Sequence, residues 1–355
     1  MIKQIITLIF LGGMGVLLGL NVITKPALPE KLSDYGFFSG PVNEHQPAPG
    51  VIPYQLATPL FSDYAEKLRF VKLPPGKQVA YNDSLVFDFP VGTSLIKTFY
   101  YPVDFRNPDK GRKLIETRLL IRDEKGWTAL PYIWNKEQTD AFLDVAGVTT
   151  EVTYVDASGK RQKHAYVVPD MNQCKGCHNK AEVLTPIGPS AWQLNGDMNY
   201  PEGKENQLEH WVKAGILSGL PQNEYRPGAV VWNEPSSGTL EERARIWLDI
   251  NCGHCHQRTG PAGTSGMFLN KSENDPLRLG IGKTPVAAGR GSGGRQFGIV
   301  PGHPDQSILV YRMESKDPGI MMPELGRTVL HKEGIALIRE WIRNMPADKG
   351  MNGDR

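Results

Sequence analysis

Four cysteines occur in 355 residues, and all four stand in the same local setting. Asn251 to Gln257 reads N-C-G-H-C-H-Q, and an upstream copy runs Cys174-Lys175-Gly176-Cys177-His178. In each copy two thiols are spaced one helical turn apart and an imidazole follows directly, the pattern by which c-type haem is attached. Cys174, Cys177, Cys252 and Cys255 would supply thioether sulfurs to two covalently bound haem c groups, and His178 and His256 the proximal nitrogens to iron. No thiol is left over for a disulfide. A four-cysteine zinc site would want a shorter gap between the pairs and has no need of the two histidines. A thioredoxin-like pair would need neither the histidine nor a second copy.

The charge balance, Lys plus Arg 40 against Asp plus Glu 38, points neither to nucleic acid nor to a strongly charged partner. Behind Lys3 an apolar run extends from Ile5 to Leu20, so residues 1–27 read as a signal peptide or a retained membrane anchor. The expected location is the periplasm, with the protein released or held at the inner membrane by its N-terminus. Export agrees with haem attachment, which takes place outside the bacterial cytoplasm.

Residues 28–59, rich in Pro and Gly, read as an extended lead-in. From 60 to 170 the chain alternates with period two between turn clusters, as antiparallel β structure does. Strands are expected at Leu68–Leu73, Leu85–Phe89, Leu95–Tyr101, Ile115–Arg122, Trp127–Trp134, Glu151–Val155 and His164–Val168. Such a set suggests a β sandwich or small barrel. His45, His164 and the group Trp134, Glu137, Asp140 and Asp144 are its most site-like residues, and they read as structural rather than catalytic.

The first haem segment, residues 171–235, contains a helix near Asn206–Leu217 with Leu208, Trp211, Val212 and Gly215 on one face. Met198 and His210 are its candidate distal iron ligands, with a vacant or water-bound position as the alternative. Residues 236–346 follow, with a nine-residue tail, 347–355. Thr239-Leu240-Glu241-Glu242 is a capping-box sequence, opening a helix that would run into Cys252. Ile335, Ile338, Trp341, Ile342 and Met345 recur at helical spacing before Pro346. Between these helices Gly319 to Gly326 forms a loop placed to present a thioether to the second haem. Met322 is preferred to Met321 because Pro323 directly after it constrains the loop.

Val300-Pro301-Gly302-His303-Pro304-Asp305-Gln306-Ser307-Ile308-Leu309, Arg312, Met322-Pro323 and the helix from Glu333 to Ile342 resemble a common bacterial class I-like cytochrome c domain family with an M-P ligand loop. That resemblance implies Met322 as distal ligand and an all-α class I cytochrome c fold for residues 236–346. Glu324 departs from the family's frequent second proline. Nearly the whole chain after residue 27 also resembles a family of exported dihaem c-type cytochromes with an N-terminal β-rich domain. Leu60 to Tyr64, Lys97 to Pro102, Ile115 to Arg118 and Asn206 to Leu208 carry the match. The resemblance implies an α+β multidomain protein moving electrons between redox protein partners, with an exported β-helix protein as a further candidate partner. Two rival readings stand beside a non-enzymatic electron carrier. One is a dihaem peroxidase. The other is a ligand-binding or oxidising β module whose electrons the haems accept.

Overall fold

In the computed structural model the described residues are 28–346, so the N-terminal apolar run and the C-terminal tail lie outside them. Among the described residues no helix is long and apolar enough to cross a membrane.

The strongest period-two stretches build one open antiparallel sheet. Its strands are β1 (Val51–Pro53), β2 (Glu66–Lys72), β4 (Ser94–Pro102), β5 (Arg112–Asp123), β6 (Gly126–Trp134) and β7 (Ala141–Leu143), hydrogen-bonded in that order. The two-residue strand β3 (Val79–Ala80) lies outside this sheet. Alternation sends Phe70, Ile96, Leu119, Leu130 and Tyr132 to one face. There they pack with Leu32, Phe37 and Val42, so the lead-in covers that side. On the other face Val71 and Leu95 bury at one end. Phe99, Tyr101 and Ile115 bury at the opposite end, beneath the hairpin of β8 (Val148–Val155) and β9 (Arg161–Val168).

Residues 171–235 share this core. Ala191 and Leu194 of α2 (Ala191–Leu194), Leu208 and Trp211 of α3 (Gln207–Lys213), and Leu217 close over Val71, Phe87, Phe89 and Leu95. Ahead of α2 come α1 (Met171–Cys177) and the hairpin β10 (Asn179–Lys180) with β11 (Val183–Leu184), and the hairpin β12 (Asp197–Tyr200) with β13 (Gly203–Asn206) lies between α2 and α3. Strand β14 (Leu217–Ser218) pairs in parallel with β3. Helix α3 is shorter than its apolar pattern predicts. Gly215 adopts φ +73°, a left-handed conformation that ends the helix, and Val212 points outward, 42% exposed.

The structure corrects the expected fold class in two respects. First, the β region is neither a closed sandwich nor a barrel. Its six-stranded sheet is open, and β8–β9 is a separate two-stranded sheet. The expected strand at Leu85–Phe89 is reduced to a single bridge between Val86 and Ser190. Second, residues 236–346 do not form an all-α class I cytochrome c fold. They hold three α-helices, α4 (Leu240–Leu248), α5 (Ile308–Glu314) and α6 (Lys332–Asn344), and the chain between Gly253 and Ser307 has no α-helix. That stretch is punctuated by Gly260, Gly263, Gly266, Gly280, Gly282, Gly289, Gly293 and Gly294, and glycine disfavours a helix interior. It runs as turns and isolated bridges, Ile281 with Ile299 and Phe297 with Ser307. Most of the described chain is therefore β structure and irregular loop.

Helices α4 and α6 do pack together. The reciprocal Thr239–Glu242 capping box opens α4 as its sequence requires. Ala244, Trp247 and Leu248 meet Ile335, Ile338, Trp341 and Ile342 in one cluster. Their closest approach is at Gly334, where a Cβ would stand 2.5 Å from atoms of the Trp247 indole. Gly334→Ala should therefore lower stability by about 1–3 kcal/mol through overpacking, measured as the shift in the urea unfolding midpoint.

Candidate functional site

The two cysteine turns are built differently. Upstream, Asp170 caps α1 by accepting from the backbone N–H of Asn172 and Gln173, and the Gln173 side chain returns the bond. This fixes one turn carrying Cys174 and Cys177, with His178 as its C-cap, its N–H on the Cys174 carbonyl at 3.0 Å. Downstream, α4 does not continue regularly into Cys252. It widens after Leu248 into a π-helical turn, Asp249–Gly253. Single π turns inside helices recur at functional sites. The His256 N–H then bonds the Cys252 carbonyl at 2.8 Å, so both turns set their imidazole in the same relation to the first thiol.

Each histidine is held by the same device. His178 Nδ1 lies 3.1 Å from the Thr185 carbonyl, and His256 Nδ1 3.2 Å from the Met267 carbonyl. A carbonyl only accepts, so Nδ1 carries the proton and Nε2 keeps its lone pair, the tautomer and orientation a metal-ligating histidine needs. Burial drives the His178 pKa down to about 3, with Lys97 assisting, and burial also lowers that of His256. Both rings are neutral at pH 7. Two thiols on one turn beside an imidazole with a free Nε2 is the donor chemistry of c-type haem attachment, and both turns fit it.

The turns converge. One ligand atom each from Cys177, His254 and Cys255 lie within 4.8 Å of one another, and Cys255 Sγ is 3.6 Å from the Gly176 carbonyl. A hydrogen bond from Cys255, with His254 nearby, pulls the Cys177 thiol down to about 4, while the same bond and burial push Cys255 up. Burial, the largest cause in each case, raises Cys174 and pushes Cys252 up to about 12.

Beside this junction is a cavity of about 190 Å³, lined by Cys174, Cys177, His178, His254 and Met322 together with residues of the sheet. Met322 thus shares a cavity with the first cysteine turn, whereas Cys252, Cys255 and His256 are not among its lining residues. The Met322 loop is pinned from two sides. Arg327 Nη2 donates to the carbonyls of Met322 at 2.8 Å and Ser315 at 3.0 Å. Asp63 accepts from Thr328 N at 2.7 Å, Thr328 Oγ1 at 2.9 Å and Val329 N at 3.0 Å.

The other distal candidates are elsewhere. Met198 sits on β12 opposite Glu205, outside the cavity lining. His210 stacks on Tyr200 at 3.5 Å and its Nδ1 meets Glu205 Oε1 at 2.6 Å, tying α3 to the β12–β13 hairpin. Of the β-region residues, His45 is buried with Nε2 on Thr98 Oγ1 at 2.9 Å, and Trp134 donates to Thr117 Oγ1. His164 lies 3.3 Å from the Tyr101 hydroxyl. Asp140 accepts from Ser33 and Asp144 closes a turn at Ala146, while Glu137 joins no cluster with them.

Three contributors were missed from sequence. His254 occupies a variable position of its motif, and only the fold brings it to Cys177. His331, which lines the cavity, accepts from Trp247 Nε1 at 3.2 Å and stacks on Phe61 at 4.2 Å. The third is the charged sheet face. Arg69, Lys97 and Arg118 line the cavity, although alternating charge in β5 reads as a solvated side. No protein family, curated protein or solved structure matches this chain.

Asp63→Ala removes the carboxylate that fastens the loop after Met322 to the β region and strands half-buried backbone donors. It should cost about 3 kcal/mol, read as a drop in unfolding free energy by denaturant titration, with Asp63→Asn intermediate.

Proposed function

We propose that the protein is an exported dihaem c-type cytochrome that carries electrons between redox protein partners. The observation that carries this reading is the meeting of the two Cys-x-x-Cys-His turns, distant in sequence, at Cys177 and Cys255. Two thioether-linked groups attached there would lie side by side, and short separation is what electron transfer between them demands. When bound, haem supplies a one-electron ferric/ferrous couple.

The chain's own residues do the rest. His178 and His256 would hold the iron through Nε2, each ring being oriented by a backbone carbonyl on Nδ1. The capped α1 and the π turn hold the thiols in register. Met322, half-buried in the cavity wall, would offer a soft thioether donor, and it shares that wall with Cys174 and His178. Buried apolar neighbours such as Met313 and Ile335 limit water at the cavity wall. Contact with a redox partner would be small and transient, as such encounters are.

A second reading is favoured by one feature. Cys177, His254 and Cys255 alone offer two thiolates and an imidazole to a soft cation such as zinc or cuprous copper. It leaves Cys174, His178, Cys252 and His256 without a role.

Mass spectrometry of the denatured, exported protein should give the polypeptide plus two haem masses, with a pyridine haemochrome band of c type. Cys252→Ala with Cys255→Ala should leave one haem and Cys174→Ala with Cys177→Ala the other. A colourless chain at polypeptide mass that co-purifies with stoichiometric zinc or copper would overturn the haem reading in favour of the second.

A further inference from the structure

The sheet face that looks into the cavity carries a row of like charges. Arg69 on β2 is the register partner of Lys97 on β4, and Lys97 is the partner of Arg118 on β5. All three line the cavity that also holds Cys174, Cys177 and His178. Like charges directly opposite one another destabilise a sheet, and removing them from water adds to the cost. The row is not a place where alternation merely reaches solvent, because the same face buries Val71 and Leu95 on one side of it and Phe99 and Tyr101 on the other, and Lys67, opposite Phe99, is outside the cavity lining.

Only part of the charge is answered by the protein. Glu116, whose side chain is 0% exposed, takes Arg118 in a two-point pair, Nε to Oε2 at 2.7 Å and Nη2 to Oε1 at 2.6 Å. The Tyr166 hydroxyl donates to the same carboxylate at 2.7 Å. Asp63, the carboxylate that lines the cavity, spends its oxygens on Thr328 and Val329. Among the described residues no carboxylate pairs with Arg69 or Lys97. Lys97 instead lies over the Phe99 ring at 5.0 Å, with Arg118 over the same ring at 4.5 Å. Two cations therefore face the cavity without a protein anion, beside a pair of attachment cysteines.

We propose that Arg69 and Lys97, backed by the Arg118–Glu116 pair, form a carboxylate-binding row that takes the two propionates of the haem attached at Cys174 and Cys177. This assignment rests on the haem reading above. It gives the β sheet a defined part in the site, since the haem brings two carboxylates and the row offers two unpaired cations. Charge-assisted bonds of this kind are among the stronger ones in proteins.

The test uses the haem-loaded chain, with Arg69→Gln, Lys97→Gln and the charge-preserving Lys97→Arg. Loss of a cation beside the propionates stabilises the ferric state, so each Gln variant should lower the midpoint potential of one haem and leave the other in place. The expected size is about a tenfold change in the ferric-to-ferrous ratio, about 59 mV for a one-electron couple. The propionate bending band in resonance Raman should shift with it, and Lys97→Arg should load fully and retain the native band and potential. A loaded Gln variant with unchanged band and potentials overturns the assignment, as does a Lys97→Arg protein that behaves like Lys97→Gln. If added citrate or phosphate shifts the wild-type potential and the Gln variants abolish that response, the row serves a free anion and the assignment falls. A chain without haem mass brings down the earlier reading itself, an outcome separate from these.

Discussion

The structure depends on a small number of buried polar clips that hold three distant segments of chain around one cavity. Asp63 fastens the loop after Met322 to the β region. Asn251, on the π turn, accepts from Phe61 N at 2.9 Å while donating to the Trp247 carbonyl. Thr58 and Gln193 exchange reciprocal bonds at 3.0 Å, and Thr58 Oγ1 also reaches the Val230 carbonyl. Each clip joins the stretch from Thr58 to Asp63 to one of the segments bearing a cysteine turn or the Met322 loop. Apolar packing alone is non-directional. It could not specify which loop faces which turn to within a few tenths of an ångström, and these directional bonds can.

Alternation made most of the sheet legible in the sequence. Strands expected at Leu95–Tyr101, Ile115–Arg122 and Trp127–Trp134 lie within β4, β5 and β6, because a half-buried pleated strand imposes period two on its residues. The meaning of the polar phase was not legible. In β5 the even position Arg118 faces an interior cavity and Glu116 is buried against it rather than in water, and a charged residue reads the same in either setting. Leu85–Phe89 was misread for a related reason. Phe87 and Phe89 are buried, but against Trp211 of α3 rather than in a ladder. β-Propensity reports a fit to a packed surface more than a backbone preference.

In the second half, periodicity identified the helices at either end and said nothing true about the span between them. The resemblance to class I-like cytochrome c domains extended two well-marked segments into a whole all-α domain, yet the intervening glycines at positive φ commit that span to turns. The π turn was likewise invisible, since one added residue per turn leaves composition unchanged. Met198 and His210 drew notice as residues with the right donor atoms. Their positions on a hairpin and its adjoining helix are set by Tyr200 and Glu205, partners that a pattern search for iron ligands does not weigh.

The cysteine spacing alone suggests two independent attachment sites, each with its own pocket, joined by chain. Cys177 beside Cys255, and Met322 in the same cavity as His178, argue for a single composite site in which each half lends residues to the other. On that view the β region is not an appended module. Its face carries Lys97 and Arg69 to the wall nearest the first cysteine turn, and its edge supplies Asp63 to the second half. Moving any one segment would disturb donors on the other two. Two separable domains, each with its own pocket, would show no such interdependence.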